Sequence, residues 1–234
     1  MEYDNFTNVP FLIENLDNSF IRMTIFDAIK NNISSFYGRL LDVGCGKMPY
    51  KNFILENSKV KEYIGLDIET AIEYDKEVKP DYVWNGKIMP FEDDSYNMIF
   101  STEVLEHCPD PLISLREMYR VLKNDGYLFL TVPFLWPLHE FPHDYYRYTP
   151  FSLQKILTEA GFKDIQIEAT GGWNASLAQM LGLWVRRSGL SDKKKYFLSV
   201  ILKPVIKYLI EKDKIPDTFL QCVMITGYVV SAKV

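Results

Sequence analysis

Apolar positions follow two rhythms along the chain. Between residues 18 and 36, Phe20, Ile21, Ile25, Phe26, Ile29 and Ile33 recur near helical spacing, which predicts an N-terminal helix with one buried face. Short apolar runs bounded by turn residues follow at 39–43, 63–67, 81–84, 98–101 and 127–132, the pattern of buried strands. Asp110 before Pro111 marks a helix start, and Asn124-Asp125-Gly126 is expected to end that helix. Thr149-Pro150 repeats the start signal, and Gly161 suits the stop of a helix carrying Leu153, Ile156 and Leu157. A sixth strand is expected at 165–169, then an apolar, helical stretch at 175–210 and a closing strand at 221–232. Strands alternating with helices imply a doubly wound α/β fold, a mostly parallel sheet covered on both faces.

Neither a repeat nor a Gly/Ser- or Pro-rich linker divides the chain. Its 234 residues, 47% hydrophobic, suit one domain with additions. Within that domain, 1–38 is expected to be a helical cover, 39–170 the core, 171–219 a helical cap on the acceptor side and 220–234 the closing strand. With 26 basic against 31 acidic residues, the formal charge of -5 argues against a broad surface for phosphate backbones, so nucleic acid is not the expected partner. The acidic start at 1–4 lacks the marks of a secretory signal. Cys45, Cys108 and Cys222, without CxxC spacing, fit free thiols of a reducing compartment, and the expected location is the cytoplasm. The run at 196–210 is too short to span a bilayer and contains Lys203, Pro204 and Lys207. With Lys193, Lys194 and Lys195 ahead of it, 175–210 could rest on an anionic membrane surface, although a lid or a homodimer contact is favoured.

The sequence Leu40-Leu41-Asp42-Val43-Gly44-Cys45-Gly46 puts an acidic residue and two glycines at the carboxyl end of the first strand, where parallel sheets bind cofactors. Asp67 ends the second strand about twenty residues on, a position suited to accept hydrogen bonds from ribose hydroxyls. The pairing points to a nucleoside cofactor. Pro49 stands where a nicotinamide dinucleotide fingerprint needs its third glycine, so a pyrophosphate cradle is lacking.

With Leu41-Asp42-Val43-Gly44-Cys45-Gly46, Met89-Pro90-Phe91 and Thr102-Glu103-Val104-Leu105-Glu106-His107, the chain resembles the class I S-adenosylmethionine-dependent methyltransferases, in particular the type 11-like group, over roughly residues 39–162. The resemblance implies a Rossmann-like, seven-stranded sheet whose last strand is antiparallel, with the helical insertion before it. It implies that Gly44, Cys45 and Gly46 line the methionine part of S-adenosylmethionine while Asp42 orients its ammonium group. Asp67 would hold the ribose, Ile68 would pack on the adenine, and Asn85, Gly86 and Lys87 would flank the adenine edge. Ser101, Thr102 and Glu103 would sit beside the methyl group, with His107 shaping the same pocket. Two departures stand out: Asn85 where relatives often carry aspartate, and Met48 where many carry a further glycine.

The loop after the fifth expected strand concentrates aromatic and titratable groups. His139 and His143 are candidate bases for an acceptor hydroxyl and Asp144 a candidate orienter of one imidazole; Arg147 is suited to an anionic part of the acceptor, and Trp136, Tyr145 and Tyr146 offer ring faces. His139 to His143 also reads as HExxH, but Pro142 lies inside the motif and Pro137 just ahead of it, against the helix a zinc hydrolase needs, so no metal ligand is assigned. The expected activity is methyl transfer from S-adenosylmethionine to a hydroxyl of a sugar, a surface-glycan precursor or a related small molecule. A quinone or amine acceptor, or a non-catalytic cofactor-binding module, is the alternative.

Overall fold

The computed structural model describes residues 6–69 and 78–234, so the acidic start at 1–4 lies outside the described residues. In chain order the elements are α1 (Ser19–Asn32), β1 (Tyr37–Val43), α2 (Lys51–Asn57), β2 (Lys59–Ile68), β3 (Tyr82–Trp84), β4 (Tyr96–Thr102), α3 (Pro111–Val121), β5 (Leu122–Pro133), α4 (Pro150–Ala160), β6 (Lys163–Ala169), α5 (Trp173–Arg187), α6 (Asp192–Glu211) and β7 (Gly227–Lys233). Strands are present at all seven expected places, although β5 begins five residues before its apolar run and β7 begins at Gly227, six residues after the expected start of the closing strand. The short α2 was not anticipated, because seven residues with only Ile54 buried carry too little periodicity to register.

Two compact units emerge. The larger comprises Ile29–Pro133, Pro137–Ile167 and Tyr228–Val234 and holds nearly all of a sheet ordered β3-β2-β1-β4-β5-β7-β6. β1 pairs in parallel with both β2 and β4, and β7 runs antiparallel to β5 and β6. Strand order therefore reverses between β1 and β4, the switch point at whose carboxyl edge open α/β sheets bind ligands. Leu40, Leu41, Ile99, Leu128 and Leu130 are buried on the central strands, each stabilising the fold by about 1.5–3 kcal/mol relative to an exposed position. Phe100 and Phe129 stack at 5.7 Å with Phe36 edge-on to both.

The helix signals acted largely as expected. Asp110 Oδ1 accepts from the Ile113 N–H with Pro111 opening α3, Thr149 and Ser152 form a reciprocal cap on α4, and Gly161 ends α4 at φ 113°. One boundary differs: α3 stops at Val121, and Asn124-Asp125-Gly126 lies inside β5, where Asp125 takes φ 62°. The β4–β5 register moves from Tyr96↔Leu122 to Met98↔Tyr127, so the turn-forming triplet absorbs an irregularity in the ladder instead of terminating the helix.

The second unit comprises the N-terminal segment through Ala28, Phe134–Trp136 and Glu168–Gly227. The apolar stretch there forms two helices broken around Gly189, and α6 continues through Pro204. Leu16, Ala178, Val185 and Ile206 form its buried centre. Asp213 caps the start of α5, accepting from the Gly172 and Ala175 N–H groups at 2.8 and 2.9 Å. Tyr196, Phe197, Val200, Ile201 and Tyr208 remain exposed on α6. No helix among the described residues is long and apolar enough to cross a membrane.

Candidate active site

The ends of β1 and β2 build the first half of the site. Gly44 and Gly46 adopt left-handed conformations, at φ 73° and 47°. At Gly44 a Cβ would also come within 2.4 Å of Val104 Cγ2, so packing as well as backbone shape excludes a side chain. Met48, at the position of the anticipated extra glycine, is itself left-handed at φ 53°, the conformation glycine would adopt without strain. The Gly46 N–H donates to Asp67 Oδ2 at 2.9 Å, and the Ile68 N–H donates to Asp67 Oδ1 at 2.9 Å. Burial raises the Asp67 carboxyl, and the charge of Glu140 adds to that effect against the two backbone N–H groups. Ile68, next in the chain, is half-exposed, and Ile88, in the turn after β3, is strongly exposed.

Asp42 is buried beneath this edge and accepts from the Tyr63 hydroxyl at 2.5 Å. Burial raises its carboxyl to about 7 even though the Tyr63 hydrogen bond lowers it. The buried Cys45 thiol is pushed far up by desolvation and the surrounding carboxylates, which keeps it protonated and unreactive. Asn85 Oδ1 accepts from the Lys87 and Ile88 N–H groups at 2.9 and 3.1 Å. The Asn85 side-chain oxygen thus closes its own turn, with Gly86 at φ 76° inside it and the Lys87 side chain exposed.

At the end of β4, Ser101 Oγ donates to the Val43 carbonyl at 2.9 Å and ties β4 to β1. Thr102 is half-buried, and Glu103, at φ 56°, accepts from Thr131 Oγ1 at 2.8 Å. A 3-10 turn, Leu105–His107, follows. Its carbonyls anchor the aromatic loop: the Glu106 carbonyl accepts from the Tyr145 and Tyr146 N–H groups, and that of Leu105 accepts from the Tyr148 hydroxyl at 2.9 Å.

The loop is organised around Asp144. Arg147 donates to both its oxygens, at 2.6 and 2.8 Å, and the His139 N–H donates to Oδ2 at 3.1 Å. Burial alone would raise Asp144, but the Arg147 hydrogen bonds and the His139 N–H more than offset it and hold the carboxyl at about 2. His139 Nδ1 lies 3.2 Å from Asp144 Oδ2. Burial, and then His107, lower the His139 pKa, favouring a neutral imidazole at neutral pH. His143 is exposed with Nδ1 3.1 Å from the Tyr145 hydroxyl. Residues 139–143 form no helix, so HExxH does not present its two histidines on one helical face.

The structure thus gathers Asp42, Gly44, Gly46 and Asp67 at one edge, and Glu106, His107, His139, Asp144 and Arg147 in an adjoining cluster linked to it by the influence of Glu140 on Asp67. Trp136 belongs to the second unit, where the Arg187 guanidinium lies 4.8 Å from its ring centre. Glu106 received no role from the sequence. Its adjacency to His107 was visible there, but its complete burial was not.

Residues 41–130 match the family described as "Methyltransferase domain". An uncharacterized protein of Methanocaldococcus jannaschii is 37% identical over 97 residues, 40% of this chain and 36% of that protein. Matches to curated relatives span between 24% and 38% of those proteins' own lengths. Among solved structures, an S-adenosylmethionine-dependent methyltransferase of Thermotoga maritima superposes with TM-score 0.58 at 14% identity, covering 95% of this chain and 92% of that one. Phosphoethanolamine N-methyltransferase 2 of Haemonchus contortus, in complex with phosphomonomethylethanolamine and S-adenosylhomocysteine, gives TM-score 0.55 at 18% identity, covering 91% and 52%. The chain thus carries a methyltransferase-domain segment at residues 41–130 and shares the seven-stranded, Rossmann-like fold of solved S-adenosylmethionine-dependent methyltransferases.

Proposed function

We propose that the chain binds S-adenosylmethionine and transfers its methyl group to a hydroxyl of a small polar acceptor, such as a sugar or glycan precursor. The observation that carries the cofactor half is the Gly46–Asp67 hydrogen bond, which sets a carboxylate and a left-handed glycine loop together at the switch point. The residues fit the group: Asp67 supplies acceptor lone pairs for ribose hydroxyls, Ile68 and Ile88 offer apolar faces for adenine, and buried Asp42 supplies negative charge near the methionine ammonium. When bound, S-adenosylmethionine supplies an electrophilic methyl carbon. Thr102 and Glu103 border that position at the end of β4.

His139 takes the acceptor proton in this reading, because Asp144 orients its Nδ1 and leaves Nε2 as the basic nitrogen. His143, with Nδ1 facing the Tyr145 hydroxyl, is the second candidate. Tyr145 and Tyr146 offer rings and Arg147 a charge to the acceptor, with the Arg147 guanidinium largely committed to Asp144. An amine acceptor is the second reading, favoured by the likeness to the phosphoethanolamine N-methyltransferase fold.

Calorimetric titration with S-adenosylmethionine, S-adenosylhomocysteine and NAD tests the cofactor assignment. Saturable binding of the first two and not of NAD is expected, and absence of binding to folded protein overturns it. Transfer of labelled methyl to nucleotide sugars against amines then separates the two acceptor classes.

A further inference from the structure

Glu106 is completely buried, and neither carboxylate oxygen has a hydrogen-bond partner among the described residues. A buried carboxylate is costly unless it is neutralised or faces a cation. His107 Nε2 lies 3.6 Å from Glu106 Oε1 and 3.7 Å from Glu140 Oε2, and the rings of His107 and His139 meet edge-on at 4.6 Å. One donor atom each from Glu106, His107 and His139 lies within 4.8 Å of the others. Ligands about 2.1 Å from a shared ion stand about 3 to 3.5 Å apart, so small side-chain rotations would close the group.

The surroundings of both imidazoles match what a metal site needs. His107 Nδ1 is 2.9 Å from the His143 carbonyl, which can only accept, so Nδ1 carries the proton and Nε2 the lone pair. His139 Nδ1 faces Asp144 Oδ2, an oxygen that already accepts from Arg147, with the same consequence. Such outer partners fix the tautomer and aim of metal-binding histidines.

We propose that Glu106, His107 and His139 form a binding site for one divalent first-row transition-metal ion, with Glu140 close enough to join as a further carboxylate. Two imidazoles and a carboxylate favour ions such as Zn2+, Mn2+, Fe2+ or Co2+ over Mg2+ and Ca2+. The site is distinct from HExxH: it takes His139 but uses only the backbone carbonyl of His143. It rests on its own geometry and not on the cofactor assignment. A bound ion would occupy the His139 lone pair and lower the pKa of a coordinated hydroxyl, replacing the base role given to that ring in the ion-free protein.

The test is titration of metal-free full-length protein with Co2+, followed by visible absorption, and with Zn2+ and Mg2+ by calorimetry, all without S-adenosylmethionine. One Co2+ or Zn2+ per chain is expected. Glu106→Gln and His139→Ala should each weaken binding by about 100-fold, and Asp144→Asn by about 10-fold, the range for outer partners. His143→Ala retains its carbonyl and should leave affinity essentially unchanged. Circular dichroism establishes that each variant is folded, and His139→Ala carries the test if Glu106→Gln does not fold. The proposal is overturned by absence of saturable binding to folded wild-type protein, by unchanged affinity in the folded ligand variants, by preference for Mg2+ over Co2+, or by equal loss in His143→Ala.

Discussion

The Gly46 N–H donates to Asp67 Oδ2 at 2.9 Å, joining the loop after β1 to the carboxyl end of β2. The same carboxylate closes its own loop through the Ile68 N–H, so one side chain both shapes the edge and faces the proposed ribose position. Asp67→Ala should weaken S-adenosylmethionine binding by about 1 to 3 kcal/mol, the scale for hydrogen bonds to charged groups. Calorimetry on the folded variant measures it, and unchanged affinity would remove Asp67 from the cofactor site.

Asp42 gives the fold a pH dependence of definite sign. Burial raises its folded-state pKa to about 7 from the unfolded carboxylate value near 3.8. Its contribution is therefore fully present below the unfolded pKa and is lost as pH rises toward 7. Asp42→Asn should flatten that part of the stability profile, read from denaturant midpoints between pH 5 and pH 8. A bound ammonium would favour the ionised carboxylate, so cofactor binding should release a proton near neutrality. Titrations in buffers of different ionisation enthalpy detect that proton.

The strands and capped helices were legible because each depends on local pattern: apolar runs for β1 to β7, Asp110-Pro111 for α3, and Thr149-Pro150 with Gly161 for α4. The triplet Asn124-Asp125-Gly126 misled because a turn-forming sequence looks the same whether it ends a helix or lies within an irregular strand, and only pairing with β4 decides. Asp67 could be placed because strand ends are fixed by sequence spacing. Glu106 could not, since burial without a hydrogen-bond partner is a property of three-dimensional packing. The convergence of His107 with His139 likewise depends on how residues 137–148 return to the turn after β4, through hydrogen bonds to the Leu105 and Glu106 carbonyls.

Arg147 and Asp144 test the loop's integrity. Asp144 is almost fully buried while Arg147 is about a quarter exposed, and two N–H groups span the pair. Arg147→Ala would leave a nearly buried carboxylate without its main partner. Discounting the full cost of breaking a buried pair for the exposure of Arg147, a loss of about 1 to 3 kcal/mol is expected. Arg147→Lys should recover only part of it, because an ammonium does not reproduce the two-pronged contact. Chemical denaturation of the three proteins gives the comparison, and equal stability of wild type and Arg147→Ala would refute a structural role for the pair.

Gly182 offers a separate test within the second unit. It lies in α5, where alanine would ordinarily raise helix stability by up to about 1 kcal/mol. Here a Cβ would come within 2.0 Å of the Leu16 carbonyl oxygen and 2.7 Å of its carbon, backbone atoms that cannot rotate away. Asp17 strengthens that close approach, its carbonyl accepting from Gln179 Nε2 at 3.0 Å and its carboxylate from Arg187 Nε at 2.8 Å. Gly182→Ala must therefore displace the N-terminal segment or bend α5, and it should destabilise the protein by about 1 to 3 kcal/mol, the usual cost of overpacking. Gly189→Ala is the matched control, since a Cβ there meets nothing within 4 Å. Thermal unfolding should show a lower midpoint for Gly182→Ala and little change for Gly189→Ala. Equal midpoints for both variants would mean that α5 does not press against Leu16 in solution.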